Sequence, residues 1–198
     1  MVDWKLILQI AGVCLGLLYL WYEYRADVRV WIVGLIMPFI HGVLYYTAGL
    51  YADMTMEFYY VAAGVYGLVM WTRPKSSAQV NISHTPRRHI APLVLVCAAA
   101  FVVISFVLAR HTDSTVPYWD AATTAMSIVG MWMLSRKYVE VWLVWIAVDV
   151  ISCVLYVYKG IPYTGLLFGI YSVLAVAGYV RWLRQARTLK QTQKTIES

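Results

Sequence analysis

From Val141 to Trp182 the chain is apolar or aromatic almost throughout, yet it carries the carboxylate Asp149. At about 20 residues per crossing, a run of that length traverses a bilayer twice. An acid near mid-span costs roughly 2.5–3.5 kcal/mol on insertion scales, so such a residue marks function. Trp142, Trp145, Asp149, Ser152 and Tyr156 follow at spacings of 3, 4, 3 and 4. That spacing puts two indoles, an acid, a hydroxyl and a phenol on one helical face. In lipid, such a face turns toward a bundle interior or a cavity.

The stretch has an internal copy. Shifted by 111 residues, Val141–Trp182 overlies Val30–Trp71 without a gap, with 13 of 42 positions identical. The matches include Trp31/Trp142, Gly49/Gly160, Tyr60/Tyr171, Gly67/Gly178 and Trp71/Trp182. The Asp149 stripe then falls on Trp31, Gly34, Pro38, His41 and Tyr45, again one face. Pro38 stands opposite Asp149, and a proline there opens the helix backbone near the midplane.

Only 13% of the 198 residues are charged and 62% are hydrophobic, against about 25% charged in soluble domains. The chain reads as an all-α integral membrane protein. Seven spans are expected, near residues 6–22, 28–47, 54–71, 90–109, 118–134, 139–158 and 162–181. The first lacks the basic leader of a cleaved signal and reads as a retained span. Of the 16 Lys and Arg, 13 flank one side: the connections after spans one, three and five, and the C-terminal tail. The positive-inside rule puts that side in the cytoplasm and the N-terminus outside. The basic residues orient the protein and do not form a nucleic-acid footprint. Cys14, Cys97 and Cys153 sit in apolar runs without metal-ligand spacing.

The copy and the topology combine into a 3+1+3 plan. Residues 1–72 form a first three-helix repeat, 73–112 a cytoplasmic loop and linker helix, 113–183 a second repeat, and 184–198 a basic cytoplasmic tail. A triplet crosses an odd number of times, so one linker span makes the two triplets parallel. The tail is expected to fray.

With these residues in place, the chain resembles the Pnu family of bacterial vitamin transporters. The resemblance rests on Trp142, Trp145, Asp149, Tyr156, Lys159-Gly160, Thr164, Gly178 and Trp182, echoed earlier by Leu50-Tyr51-Ala52-Asp53, Tyr60, Tyr66-Gly67 and Trp71. It implies a SWEET-like fold in the bacterial cytoplasmic membrane. It also implies uptake by facilitated diffusion with alternating access, made one-way by a cytosolic vitamin kinase, and no cofactor. Met131-Trp132 stands where nicotinamide riboside carriers often read Gln-Trp, and Glu57 where they often carry Gln. A glutamine both donates and accepts hydrogen bonds, which suits a carboxamide. Methionine cannot donate, and an added carboxylate favours a cation. The expected substrate is therefore thiamine, ahead of nicotinamide riboside, with riboflavin a further family substrate.

Both leading vitamins carry a flat ring with a fixed positive charge. Indole faces attract such cations by about 0.5–2 kcal/mol, and Trp132, Trp142 and Trp145 supply them. Asp149 and Glu57 supply negative charge. Thr124, Ser127, His41, Tyr45 and Tyr156 are further substrate-contact candidates, with Gln9 a weaker one. Each has a plainer reading: an interfacial belt for the tryptophans, an interhelical hydrogen bond for the hydroxyls and Asp149, a packing histidine for His41, a solvated rim for Glu57. An intramembrane enzyme would need HExxH, a paired serine nucleophile or an acid pair, and none is present. A retinal sensor would need a lysine in the last span, which has none. The sequence leaves ion coupling and oligomeric state open, a homo-oligomer included.

Compartment-sensitive reporters fused to each end should place Ser198 in the cytoplasm and Met1 outside. A cytoplasmic N-terminus would break the parallel plan.

Overall fold

The computed structural model describes residues 4–48, 51–73, 81–112, 114–160 and 162–197. Within these helices the side chains of 4–10, 41, 44–45, 47–48, 51–56, 162–164 and 193–197 are not described. Seven helices run through the described residues: α1 (Trp4–Tyr24), α2 (Arg29–Ala48), α3 (Tyr51–Thr72), α4 (Arg87–His111), α5 (Pro117–Ser135), α6 (Val141–Tyr158) and α7 (Pro162–Glu197). Among the described residues, α4, α6 and Gly165–Thr192 are long and apolar enough to cross a membrane by length and composition. The tail does not fray as expected: α7 continues as helix to Glu197. The chain divides into two compact units, Met1–Val80 with α1–α3 and Asn81–Ser198 with α4–α7.

In the first unit α1 packs on α2 and α2 on α3. The α1–α2 turn is a Schellman motif: Ala26 takes φ 53°, its N–H bonds Glu23 O, and the Asp27 N–H bonds Tyr22 O. This satisfies the last carbonyls of α1. Asp27 then caps α2, accepting the Arg29 N–H at 2.9 Å and the guanidinium at 2.6 Å. The side-chain bond from Arg29 holds the Asp27 carboxyl down at about 2. Deeper in the unit, Trp31 of α2 is fully buried. Its ring lies over Gly67 of α3 and meets Trp71 edge-on at 5.5 Å and 88°.

The second unit repeats these details at the 111-residue offset. Lys137 takes φ 53°, its N–H bonds Leu134 O, and the Tyr138 N–H bonds Met133 O. Trp142 of α6 is fully buried, covers Gly178 of α7 and meets Trp182 at 5.6 Å and 85°. Arg25 lies over Trp21 at 5.1 Å, and Arg136 over Trp132 at 5.4 Å. Lipid tails are as apolar as leucine, so membrane helices associate through close packing and small residues. A glycine under an indole supplies that closeness.

The second unit also carries a polar clasp. Ser83 pairs with the α5–α6 turn through Ser83 N–H to Lys137 O (3.2 Å) and Val139 N–H to Ser83 O (3.0 Å). Glu140, ahead of α6, accepts from His84 Nδ1 at 2.7 Å and from the Thr85 N–H and hydroxyl at 2.8 Å each. Burial pushes the Glu140 carboxyl up, but these bonds outweigh it and hold it below its ordinary range. At the far end of α5, Lys159 Nζ reaches Asp120 at 3.2 Å, and the Ser114 hydroxyl donates to the same carboxylate at 2.7 Å.

A methyl group at position 178 would sit 2.5 Å from Trp142 Cζ3, whereas one at Gly42 meets nothing within 4 Å. Gly178→Ala should therefore lose about 1–3 kcal/mol of stability through overpacking. Gly42→Ala should be neutral or gain slightly, since glycine costs about 0.5–1 kcal/mol in a helix. Thermal unfolding of both variants in detergent checks the contrast.

Candidate functional site

The α6 stripe divides between two environments. Trp142 and Ser152 are buried, while Trp145, Asp149 and Tyr156 are part-exposed. Trp142 is committed to packing on Gly178 and Trp182, which leaves no open ring face for a ligand. Trp145 lies one turn on, against Gly130 of α5, where an added methyl would come within 2.9 Å of its ring. Asp149 sits at mid-helix, within electrostatic reach of Tyr171 on α7. Tyr156 stacks on Phe168 at 5.2 Å and 10°, and Phe168 meets Tyr171 edge-on at 5.9 Å.

Between α6 and α7 the second unit thus brings Tyr156 to Phe168 and Tyr171 and Asp149 within reach of Tyr171, while Trp145, one turn before the acid, faces α5. Sequence reasoning did not place those two α7 residues in the site. Their signal was an aromatic pair three residues apart, one member being the repeated Tyr60/Tyr171. Among the described residues, no group hydrogen-bonds the Asp149 carboxylate, so the structural hydrogen bond considered for it is not seen.

Trp132 is elsewhere. It belongs to a cluster at the α5 C-terminus with His89 (5.7 Å), Tyr138 (5.9 Å) and the Arg136 guanidinium. His89 Nδ1 and the Tyr138 hydroxyl lie 3.0 Å apart in the same cluster. The α5 hydroxyls bond their own helix: Thr124 donates to Asp120 O at 2.8 Å and Ser127 to Thr123 O at 2.9 Å. Neither makes the interhelical bond considered from sequence, a pattern of back-bonding common for hydroxyls inside helices. Met131 is buried.

Glu57 lies in the first unit. It is 9% exposed and lines a cleft of about 370 Å³ between α2 and α3, so it is not a solvated rim residue. Glu23, near the end of α1, is a second buried carboxylate, 2% exposed, with Tyr19 in electrostatic reach. Its place in the charged segment Glu23–Arg29 hid it from a reading by spans. The side chains of His41, Tyr45 and Gln9 lie outside the described residues, as does that of Thr164.

Three helices long and apolar enough to cross a membrane and an acid in the middle of one of them fit a multi-pass membrane transporter. Residues 6–184 match the sequence model of the nicotinamide mononucleotide transporter family, and the chain belongs to that family. It is 27% identical to the nicotinamide riboside transporter PnuC of Escherichia coli (strain K12), over 91% of this chain and 86% of that one. It is 24% identical to the riboflavin/roseoflavin transporter RibM of Streptomyces davaonensis, over 90% and 85%. A crystal structure of the vitamin B3 transporter PnuC shares its fold, with a TM-score of 0.70, 22% identity, and coverage of 91% and 82%. The protein is a transporter, not an enzyme. The expected preference for thiamine has no counterpart among these relatives, which fit the alternative of nicotinamide riboside better.

Proposed function

We propose that the chain takes up an unphosphorylated vitamin with a flat cationic ring, with nicotinamide riboside ahead of thiamine. The observation that carries this reading is the Asp149 carboxylate. It has no hydrogen-bond partner among the described residues, stands one helical turn from Trp145, and lies within electrostatic reach of Tyr171. A pyridinium ring supplies the positive charge the site lacks, and ring faces add cation–π attraction. A phosphate would bring like charge to the acid, which argues for the riboside over the mononucleotide. Riboflavin offers no such charge.

Transport on this reading is facilitated diffusion. A 3+1+3 arrangement of parallel triplets, N-terminus outside, would rock around the site, and a cytosolic kinase would trap the product. The copied Trp–Gly–Trp contacts and the recurring Schellman turns support the repeat. The Lys and Arg asymmetry supports the orientation. Trp142 then works by fixing α6 against α7 and not by touching substrate.

Two measurements on purified full-length protein test this. Asp149→Asn keeps the side-chain volume and removes the anion. Its affinity for nicotinamide riboside should fall by about 1.5–3 kcal/mol, or roughly 10–150-fold. An unchanged dissociation constant would make Asp149 a packing residue, and tight binding of riboflavin alone would overturn the cationic substrate class. Separately, Trp142→Phe should lower stability by about 0.5–1.5 kcal/mol through its lost aromatic pair, with ligand affinity kept. Trp145→Phe should show the reverse, losing about 0.5–1 kcal/mol of affinity. Melting temperatures and equilibrium binding of the two variants separate the roles.

A further inference from the structure

The second unit collects cations at one end. Ser83 pairs with the α5–α6 turn, so α4 begins beside that turn, with Arg87 and Arg88 as its first residues. Trp142, at the start of α6, meets Trp182 of α7, so the remainder of α7 leaves the unit at the same end. Arg184, Arg187 and Lys190 then follow at a spacing of three, which keeps them along one side of the helix. All five cations are exposed, and among the described residues none of them forms an ion pair. Glu140 is the acid described at this end, and His84 and Thr85 already hold it.

Helix α7 fixes the height of these charges. At 1.5 Å per residue, Pro162 to Trp182 spans about 30 Å, one hydrocarbon core. Arg184, Arg187 and Lys190 then stand roughly 3, 8 and 12 Å beyond it. The headgroup layer is about 5–8 Å deep on each side. Lys and Arg lay their stems along apolar surface and aim their heads several residues away, which brings all three within that layer. Ala186 is 8% exposed and Leu189 46%, so the helix leaves the cover of its own unit within this ridge.

We propose that the α7 ridge of Arg184, Arg187 and Lys190, together with Arg87 and Arg88, docks the phosphates of anionic lipid headgroups. The distribution of the charges selects the occupant. They lie on two helices and along about 9 Å of one of them, so they do not converge on a single small anion. A layer of phosphates answers all of them at once. Four of the five are arginines, whose planar fork takes a phosphate through two parallel hydrogen bonds. Docking would tie the start of α4, and the Ser83 clasp beside it, to the membrane surface. The inference needs these helices to cross a bilayer. It depends neither on the substrate nor on which side the ridge faces.

The test is equilibrium binding of fluorescent phosphatidylglycerol to the full chain in neutral detergent, with phosphatidylcholine as control. Phosphatidylglycerol should be preferred, and the preference should shrink as sodium chloride is raised. Replacing all three ridge residues, Arg184→Gln, Arg187→Gln and Lys190→Gln, should lower its affinity by roughly tenfold or more, with phosphatidylcholine unaffected. Should that variant fail to fold, Arg184→Gln and Arg87→Gln alone should each cost about fivefold. Arg110→Gln, at the far end of α4, should change little. Equal binding of the two lipids overturns the proposal, as does an unchanged affinity in the ridge variants or an equal loss from Arg110→Gln. Displacement of the lipid by an equal concentration of inorganic phosphate also overturns it, because the site would then be one for a small anion.

Discussion

An indole laid over a glycine sets the geometry of each unit. In lipid the hydrophobic effect does not pull helices together, so association depends on how closely surfaces fit. Gly67 and Gly178 remove the side chain that would hold α3 and α7 away, and Trp31 and Trp142 fill the space. Trp71 and Trp182 close each contact edge-on. Antiparallel helices locked at one point are then aligned at points two turns away, because seven residues return nearly to the same face. Seven residues on from Trp142 and seven back from Gly178 are Asp149 and Tyr171, which come within electrostatic reach. The lock thereby aims the acid at α7.

The same step from Trp31 and Gly67 leads to Pro38 and Tyr60, so the first unit has no acid on α2 at that level. A second difference lies between the first two helices of each unit. In the first, Tyr19 of α1 fills the space over Gly34 of α2, its ring 3.0 Å from where a Cβ would stand. In the second, the positions 111 residues on are Gly130 and Trp145, so the aromatic sits on α6 and the glycine on α5. The exchange conserves an aromatic-on-glycine contact. Its consequence is chemical: only in the second unit does the aromatic share a helix with the mid-span acid.

Much of this was legible in the sequence. Apolar runs located seven helices within a few residues, except for the C-terminal end of α7, and the gapless copy anticipated the paired contacts. The stripe through Trp142 and Asp149 correctly identified one helical face. Periodicity says which residues share a face but not what covers each of them. Trp142 and Trp145 look equivalent at spacing 3, yet one is sealed by Gly178 and Trp182 and the other lies against Gly130. Trp132 was read as a ligand ring from the resemblance, while its contacts are with His89, Tyr138 and Arg136 at a helix end. Thr124 and Ser127 shared a helical face as well, but a hydroxyl inside a helix has its own carbonyls in reach. The extension of α7 went unseen because a polar segment shows no apolar period, although its Lys, Arg and Gln are good helix formers.

The acids themselves show what a binding site has to leave undone. Asp27 is held by Arg29 at 2.6 Å, Asp120 by Ser114 and Lys159, and Glu140 by His84 and Thr85. All three lie at helix ends and find their partners within the chain. Asp149 lies mid-helix and, among the described residues, finds none. A structural acid so placed would gain from any nearby donor, and Ser152, three residues along the same face, would be one at little cost in sequence. Ser152 is buried at that position without bonding the acid. An acid whose needs were met internally would bind a cation weakly, since each arriving charge would first have to displace a partner. On the function proposed above, a carboxylate left open within electrostatic reach of Tyr171 keeps its pull for something that arrives from outside and leaves again, which is what a carrier requires.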